Sequence, residues 1–174
     1  ALQRWSLAKS QESHSCGSIA IALVTDVLGT PPVVEWGKPV FAATVDGAID
    51  VPMRPGDAVL VDVRTHAEWA YVGLPDVSSL GKDLKMISWV LFPKGDINTE
   101  FVDDLEDQVP DQDATVLFLC RSGVRSIAAA QAATQAGYAK SFNILTGFEG
   151  DKDDAQHRGT VGGWKVAGLP WVQK

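Results

Sequence analysis

In the stretch Val116-Leu117-Phe118-Leu119-Cys120-Arg121-Ser122-Gly123-Val124-Arg125-Ser126, an apolar run ends on a cysteine, and a polar loop containing glycine leads into Ile127-Ala128-Ala129-Ala130. The pattern predicts a buried strand that delivers Cys120 into a tight turn whose far end becomes the first turn of a helix. Successive backbone N–H groups of such a turn point inward, and the unpartnered first-turn donors of the helix add partial positive charge. A thiolate placed there is stabilised. Arg121 and Arg125 add full positive charges nearby, which makes Cys120 a candidate nucleophile. The competing reading is a strand-end cysteine buried for packing, since free cysteine is among the most buried residue types. A cysteine buried only to pack has no need of the polar Arg, Ser, Gly and Arg beside it, and Gly123 suits a backbone that turns tightly or adopts positive φ.

The elements that must hold this loop can be read on either side of it. Pro52, Pro55 and Gly56 punctuate the approach to Ala58-Val59-Leu60-Val61-Asp62-Val63, an apolar run suited to a strand buried on both faces. Thr65 to Tyr71 reads as a short helix closed by Gly73 and Pro75, and Met86 to Phe92 as a second strand stopped by Pro93. Asn98 or Thr99 is placed to cap a helix through Phe101, Val102 and Leu105, with Glu100, Asp103 and Asp104 near its N-terminus. After the Thr115–Leu119 strand, Val124–Ala136 predicts a helix ending at Gly137, and Phe142–Leu145 a further strand. Apolar strands alternating with helices predict an α/β domain with a parallel sheet, and ligands of such sheets bind at the carboxyl ends of strands, where Cys120 lies. Residues 1–38 differ in composition and break at Gly29-Thr30-Pro31-Pro32, which predicts an N-terminal extension ahead of a domain spanning 39–174.

A 174-residue chain that is 45% hydrophobic has room for one domain with a core. Its net charge of -7 offers no basic stripe for nucleic acid or an acidic membrane. Two cysteines, Cys16 and Cys120, are too few for a disulfide framework and fit a reducing compartment. Arg4 and Lys9 precede the apolar run Ile19–Val24, which is far short of the roughly 20 residues of a spanning helix and is followed by Asp26. A non-secretory, cytoplasmic protein is expected, with the periplasm as the alternative.

Taken together, Val61-Asp62-Val63-Arg64 with Glu68-Trp69, the loop Cys120 to Ser126, Gly147-Phe148-Glu149-Gly150, and Gly163-Trp164 to Gly168-Leu169-Pro170-Trp171 resemble the rhodanese (sulfurtransferase) family over roughly residues 40 to 174. The resemblance implies a single rhodanese-like domain of three layers, with a central, mostly parallel five-stranded sheet flanked by helices. Cys120 and Arg125 are spaced Cys-x4-Arg, similar to the six-residue active loop of sulfurtransferases, whereas the phosphatases use a loop one residue longer. Phosphatase and arsenate-reductase chemistry is therefore disfavoured. Where the family commonly carries Gly-His-Ile followed by Gly-Ala, this chain has Val72-Gly73-Leu74-Pro75-Asp76, a departure near the expected loop entrance that bears on the acceptor.

The expected activity is transfer of sulfane sulfur from thiosulfate or a similar small anion to a thiol, cyanide or thioredoxin-like acceptor through a Cys120 persulfide. Arg121, Ser122, Gly123, Val124, Arg125 and Ser126 are the expected substrate- and persulfide-binding residues. The resemblance implies that Asp62 and Arg64 support the loop by local pairing, with Glu68 a partner for Arg64. The alternatives are a persulfide carrier serving a protein partner and a regulatory or binding module, although such a module normally lacks the loop cysteine. No cofactor or metal is expected. His14 with Cys16 is too small a set for zinc, Asp151, Asp153, Asp154 and His157 lack the EF-hand glycine, and His66 is expected to be an exposed helix-start residue rather than a base. Cys16 is a solitary cysteine, with a resolving thiol as the sharper alternative. Trp69, Trp89, Trp164 and Trp171 are expected in core or rim packing.

Overall fold

Strands at the centre of a parallel sheet lose water on both faces, and the apolar runs around Leu60 and Leu117 meet that demand. A computed structural model of the protein describes residues 41–43 and 58–173. The extension, Cys16, Ile19–Val24 and the Pro52–Gly56 punctuation lie outside the described residues. In chain order the elements are β1 (Phe41–Ala43), β2 (Ala58–Asp62), α1 (His66–Tyr71), β3 (Leu74–Pro75), a 3-10 turn (Ser78–Leu80), β4 (Leu84–Met86), β5 (Val90–Leu91), β6 (Asp96–Ile97), α2 (Phe101–Gln108), β7 (Thr115–Leu119), α3 (Val124–Gln135), β8 (Ser141–Ile144) and β9 (Trp171–Val172). The main sheet runs β1-β8-β7-β2-β4, with every neighbouring pair parallel. The protein is thus α/β with a central parallel sheet. Asp62 pairs with Leu119, so the carboxyl ends of β2 and β7 lie side by side and the loop after β7 opens at the middle of the sheet.

Side chains alternate across the sheet as period two requires. Val61, Val63, Val116, Phe118 and Cys120 face one core with Phe101 and Leu105 of α2 and Ala129, Ala130 and Ala133 of α3. Leu60, Leu117, Leu119 and Ile144 face a second core with Val77, Phe148 and Trp164. The alanine face of α3 lets that helix lie close to the sheet. Its end is a Schellman turn: Tyr138 N–H reaches Ala133 O (3.0 Å), Gly137 N–H reaches Thr134 O (3.3 Å), and Gly137 holds φ at 116°. The buried Tyr138 hydroxyl then donates to Val109 O at 2.6 Å, tying α3 to the segment after α2.

Two elements depart from the sequence reading. Met86–Phe92 is not one strand. After β4, Ile87 N–H and Trp89 N–H still reach Asp62 O (3.2 Å) and Val63 O (3.1 Å), but Val90–Leu91 leaves the sheet to pair antiparallel with Asp96–Ile97. An apolar run reports burial, not which partner a backbone finds, and here Leu91, Phe92 and Ile97 are exposed. Neither does Asn98 or Thr99 serve as the helix N-cap. Glu100 holds that position without a side-chain bond, while Asn98 braces the turn before it, accepting from Glu100 N–H (3.1 Å) and donating to Ser88 O (3.1 Å).

Asp62 and Arg64, both fully buried, lock the carboxyl end of β2. Arg64 Nε and Nη2 donate to the Asp62 carboxylate at 2.9 and 2.6 Å, Nη2 also donates to Gly73 O at 2.7 Å, and the guanidinium lies 4.1 Å over the Phe148 ring. Arg64 Nη1 has no partner, so the guanidinium is not fully compensated for its lost water. Removing one member of such a pair is far more damaging than its net worth suggests, because the other charge is left buried alone. Arg64→Met should therefore destabilise the protein by about 3–5 kcal/mol in urea unfolding; a loss below about 1 kcal/mol would show that Asp62 is not held by this pair.

Candidate active site

Between the last residue of β7 and the first of α3 the chain has four residues in which to reverse direction, and Gly123 makes the reversal possible. Its φ of +91° lies in the left-handed region, and a Cβ there would collide with the Leu145 carbonyl oxygen. Cys120 sits inside this turn at 1% exposure. Gly123 N–H points at its sulfur from 3.2 Å, and the Ser126 hydroxyl, one turn into α3, lies 3.2 Å from the sulfur and 3.1 Å from Gly123 O. That hydroxyl has one hydrogen and two acceptors in reach, so a charged sulfur draws it away from the carbonyl.

The loop is also held from behind. Phe148 N–H donates to Cys120 O (2.8 Å), and the N–H groups of Glu149 and Gly150 donate to Arg121 O (2.9 and 3.2 Å). These bonds need Gly147, whose φ is +59° and whose missing Cβ would collide with Cys120 O. Turning the carbonyls of Cys120 and Arg121 outward, onto the Gly147–Gly150 segment, keeps their negative ends away from the sulfur.

Of the residues expected to bind sulfur, Gly123 and Ser126 contact the Cys120 sulfur directly. Arg121 is exposed, Ser122 is half-buried, and Val124 is 73% exposed. Both terminal nitrogens of Arg125 are engaged, Nη1 and Nη2 meeting Glu68 Oε2 and Oε1 at 2.8 and 2.6 Å. Glu68 thus pairs with Arg125 and not with Arg64, whose Nε and Nη2 meet Asp62 and Gly73 O and which turns inward. His66 is exposed and edge-on to Trp69, with ring centroids 4.7 Å apart, away from any contact with the sulfur.

Sequence reading undervalued Glu68, although its signal was present. Thr65 and Glu68 form a capping box at the start of α1: Thr65 N–H and Oγ1 donate to Glu68 Oε2 (3.0 and 2.9 Å). The box fixes the carboxylate at the carboxyl end of β2, where an arginine from the neighbouring loop can reach it. Burial alone would raise the Glu68 carboxyl, but the hydrogen bonds from Arg125 and Thr65 outweigh it and hold the group at about 2. Burial alone would lower Arg125, yet Glu68 outweighs it and raises the guanidinium, with smaller contributions from Cys120 and Asp62. An open depression of about 490 Å³ lies over this pair, lined by Thr65, Ala67, Glu68, Val72, Phe92, Arg121 and Arg125. The acidic loop after Gly150 is organised by itself: Asp153 accepts from His157 N–H (2.8 Å) and Thr160 Oγ1 (2.9 Å). Among the described residues no helix is long and apolar enough to cross a membrane.

With a donor-lined cysteine loop set at the carboxyl edge of a parallel sheet, the comparison with known proteins agrees: residues 48–154 match the rhodanese-like domain, and the chain belongs to that family. It is 40% identical over 124 residues to an uncharacterized protein of Rickettsia rickettsii, covering 71% of this chain and 90% of that one. It is 31% identical over 116 residues to a sulfurtransferase of Allochromatium vinosum, covering 67% of this chain and 79% of the relative. Among solved structures it is similar to Rv0390 from M. tuberculosis, at 44% identity and TM-score 0.70 over 76% of this chain and 97% of that one. The polysulfide-sulfur transferase homodimer of Wolinella succinogenes, at 20% identity and TM-score 0.53, covering 78% and 80% of the two chains, shares the fold.

The Glu68–Arg125 pair makes stability depend on acid. The folded carboxyl titrates at about 2 and the unfolded one near 4.5, so the pair's contribution is complete above about pH 4.5 and is lost as the pH falls toward 2. Urea midpoints measured between about pH 6 and pH 2 should fall less steeply in Glu68→Ala than in the unaltered protein; parallel profiles would remove Glu68 as a source of acid lability.

Proposed function

We propose that the protein is a sulfurtransferase in which Cys120 takes sulfane sulfur from thiosulfate or a similar donor and passes it to a thiophilic acceptor. One observation carries the reading: a cysteine buried to 1% exposure whose sulfur is met by a backbone N–H and a hydroxyl, each at 3.2 Å. A buried sulfur kept only for packing has no use for donors aimed at it. One that alternates between thiolate and persulfide needs them in both states.

The first step is attack of the Cys120 thiolate on the outer sulfur of thiosulfate. The new S–S bond forms on Cys120, the donor's S–S bond breaks, and sulfite departs with the electron pair; Cys120 is left as a persulfide anion. In the second step an acceptor nucleophile attacks the outer sulfur of the persulfide and the Cys120 thiolate leaves. This is ping-pong covalent catalysis, with the same thiolate as attacking and leaving group. Gly123 N–H and Ser126 Oγ stabilise the thiolate, and the inward amides from Arg121 to Ser126 receive the outer sulfur. Arg121, exposed at the mouth, draws anions in; Asp62 and Arg64 act through the scaffold. Val124, exposed beside the loop, offers an apolar contact to whatever docks there. The low exposure of Cys120 restricts the reagent to one that presents a slender sulfur or a small nucleophile.

A thiol, cyanide or a thioredoxin-like protein can serve as acceptor by the same chemistry. A carrier that hands its persulfide to a protein partner uses the same first step, and it is the second reading because Phe92, 66% exposed, lines the depression and Val124, 73% exposed, begins the helix that follows the loop. The protein is read as acting without cofactor or metal, in the cytoplasm. Residues 39–174 are taken as the catalytic domain and 1–38 as an extension.

Incubation with thiosulfate should add the mass of one sulfur to the Cys120 peptide, and cyanide, glutathione or reduced thioredoxin should remove it. Cys120→Ser should abolish both the mass gain and turnover while leaving the thermal transition in place; turnover retained in this variant would sink the mechanism. Ser126→Ala removes the one side-chain donor to the sulfur among the described residues and should lower the rate of sulfur loading by about tenfold, the worth of a hydrogen bond to a charged group. An unchanged loading rate would assign Ser126 to the Gly123 carbonyl instead.

A further inference from the structure

Arg125 closes the loop around Cys120, and a guanidinium in that position is the natural clamp for a donor's oxyanion. Here the clamp is already closed. Glu68 takes both terminal nitrogens in a two-point fork at 2.8 and 2.6 Å, with the Arg125 and Glu68 side chains 22% and 17% exposed. The pair contributes no net charge to the depression beside it. Arg121 is the one guanidinium lining that depression that makes no ion pair among the described residues. The rest of the lining is largely apolar: Ala67, Val72 and Phe92, the last 66% exposed.

We propose that Glu68 is a specificity-determining residue: by occupying Arg125 it withholds that cation from the donor, so the depression lined by Arg121 and Arg125 of the Cys120 loop favours a low-charge alkyl persulfide over dianionic thiosulfate. The inference rests on Cys120 being the sulfur-accepting nucleophile. Thiosulfate entering the depression has two courses. It competes with a carboxylate for Arg125, breaking a partly buried fork, or it lies against that carboxylate with one guanidinium for two negative charges. Glu68 stays ionised throughout, since it titrates at about 2. An alkyl persulfide, R–S–SH, meets neither obstacle. Its alkyl group has Phe92, Val72 and Ala67 to lie on, and the departing thiolate has Arg121. The Cys120 thiolate bonds to the outer sulfur, the donor's S–S bond breaks, and R–S⁻ leaves with the electron pair, so the outer sulfur ends on Cys120 as the hydropersulfide. No external oxidant or reductant is needed.

Glu68→Gln tests the charge alone, because glutamine retains an oxygen to accept from Thr65 and so preserves the cap of α1. Loading of Cys120 followed by rapid-quench mass spectrometry, with thiosulfate and with benzyl persulfide, gives a maximal rate and a half-saturating concentration for each donor. The unaltered protein should show the higher ratio of rate to half-saturation with benzyl persulfide. Glu68→Gln should lower the half-saturating thiosulfate concentration by about tenfold, as expected for one freed charge near a dianion, and shift that of benzyl persulfide by less than about twofold. Adding Arg125→Met should erase the thiosulfate gain, since the gain belongs to that guanidinium. Thiosulfate saturation that is unchanged or weaker in Glu68→Gln, or an equal gain for both donors, overturns the proposal. If neither donor loads Cys120 in the unaltered protein, the sulfurtransferase reading itself falls and the proposal with it; if thiosulfate is the better donor of the unaltered protein, only the proposal falls.

Discussion

A sulfur atom withdrawn from water finds hydrogen-bond donors only in the protein around it, and the architecture around Cys120 supplies them. The sulfur lies at 1% exposure, where an uncompensated thiolate would be costly. Its donors come from a turn that runs directly into a helix, so the backbone must pass through the left-handed conformation at Gly123. The carbonyls on the same turn must point elsewhere, and the Gly147–Gly150 segment takes them: its N–H groups hold Cys120 O and Arg121 O. Three features, a strand to deliver the cysteine, a glycine to reverse the chain and a second glycine segment to receive the carbonyls, together set donors and not acceptors toward the sulfur.

Two arginine–carboxylate pairs flank the loop, and their surroundings give them different parts. Asp62 and Arg64 are wholly buried, two residues apart on one strand end, and Arg64 additionally holds Gly73 O and lies over Phe148. They knit β2 to the segments on either side of the loop. Glu68 and Arg125 come from different helices and remain partly exposed at the rim of the depression. A charge at such a rim is felt by an entering ligand, whereas a fully buried pair is felt mainly by the scaffold.

Much of this was legible in the chain. Ala58–Asp62 and Thr115–Leu119 read as strands because a central parallel strand is apolar on both faces, and α3 read as a helix because Val124–Gln135 lacks breakers and is followed by Gly137. The candidate nucleophile was visible from the apolar run that ends in a polar, glycine-containing loop, and the resemblance gave the Cys-x4-Arg spacing its meaning. The Met86–Phe92 run misled, because apolar composition cannot say that the backbone stays against the end of β2 through Trp89 and then joins a separate hairpin at Val90. The short β1, three residues from Phe41 to Ala43, carries too little pattern to be seen and is defined by its partner β8.

The sequence by itself determined the local chemistry: which cysteine ends a strand, how many residues separate it from Arg125, and where glycine permits a turn. Those features depend on neighbours in the chain, and neighbours in the chain are what a sequence displays. Tertiary structure alone decided which acid meets which arginine. Glu68 is four residues from Arg64 and 57 from Arg125, yet it pairs with the distant one. The register of β2 against β7 sets the capped end of α1 beside the start of α3, and Arg64 has already found Asp62 and Gly73 O within the core. Ion pairing depends on distance in space, and the sheet fixes that distance.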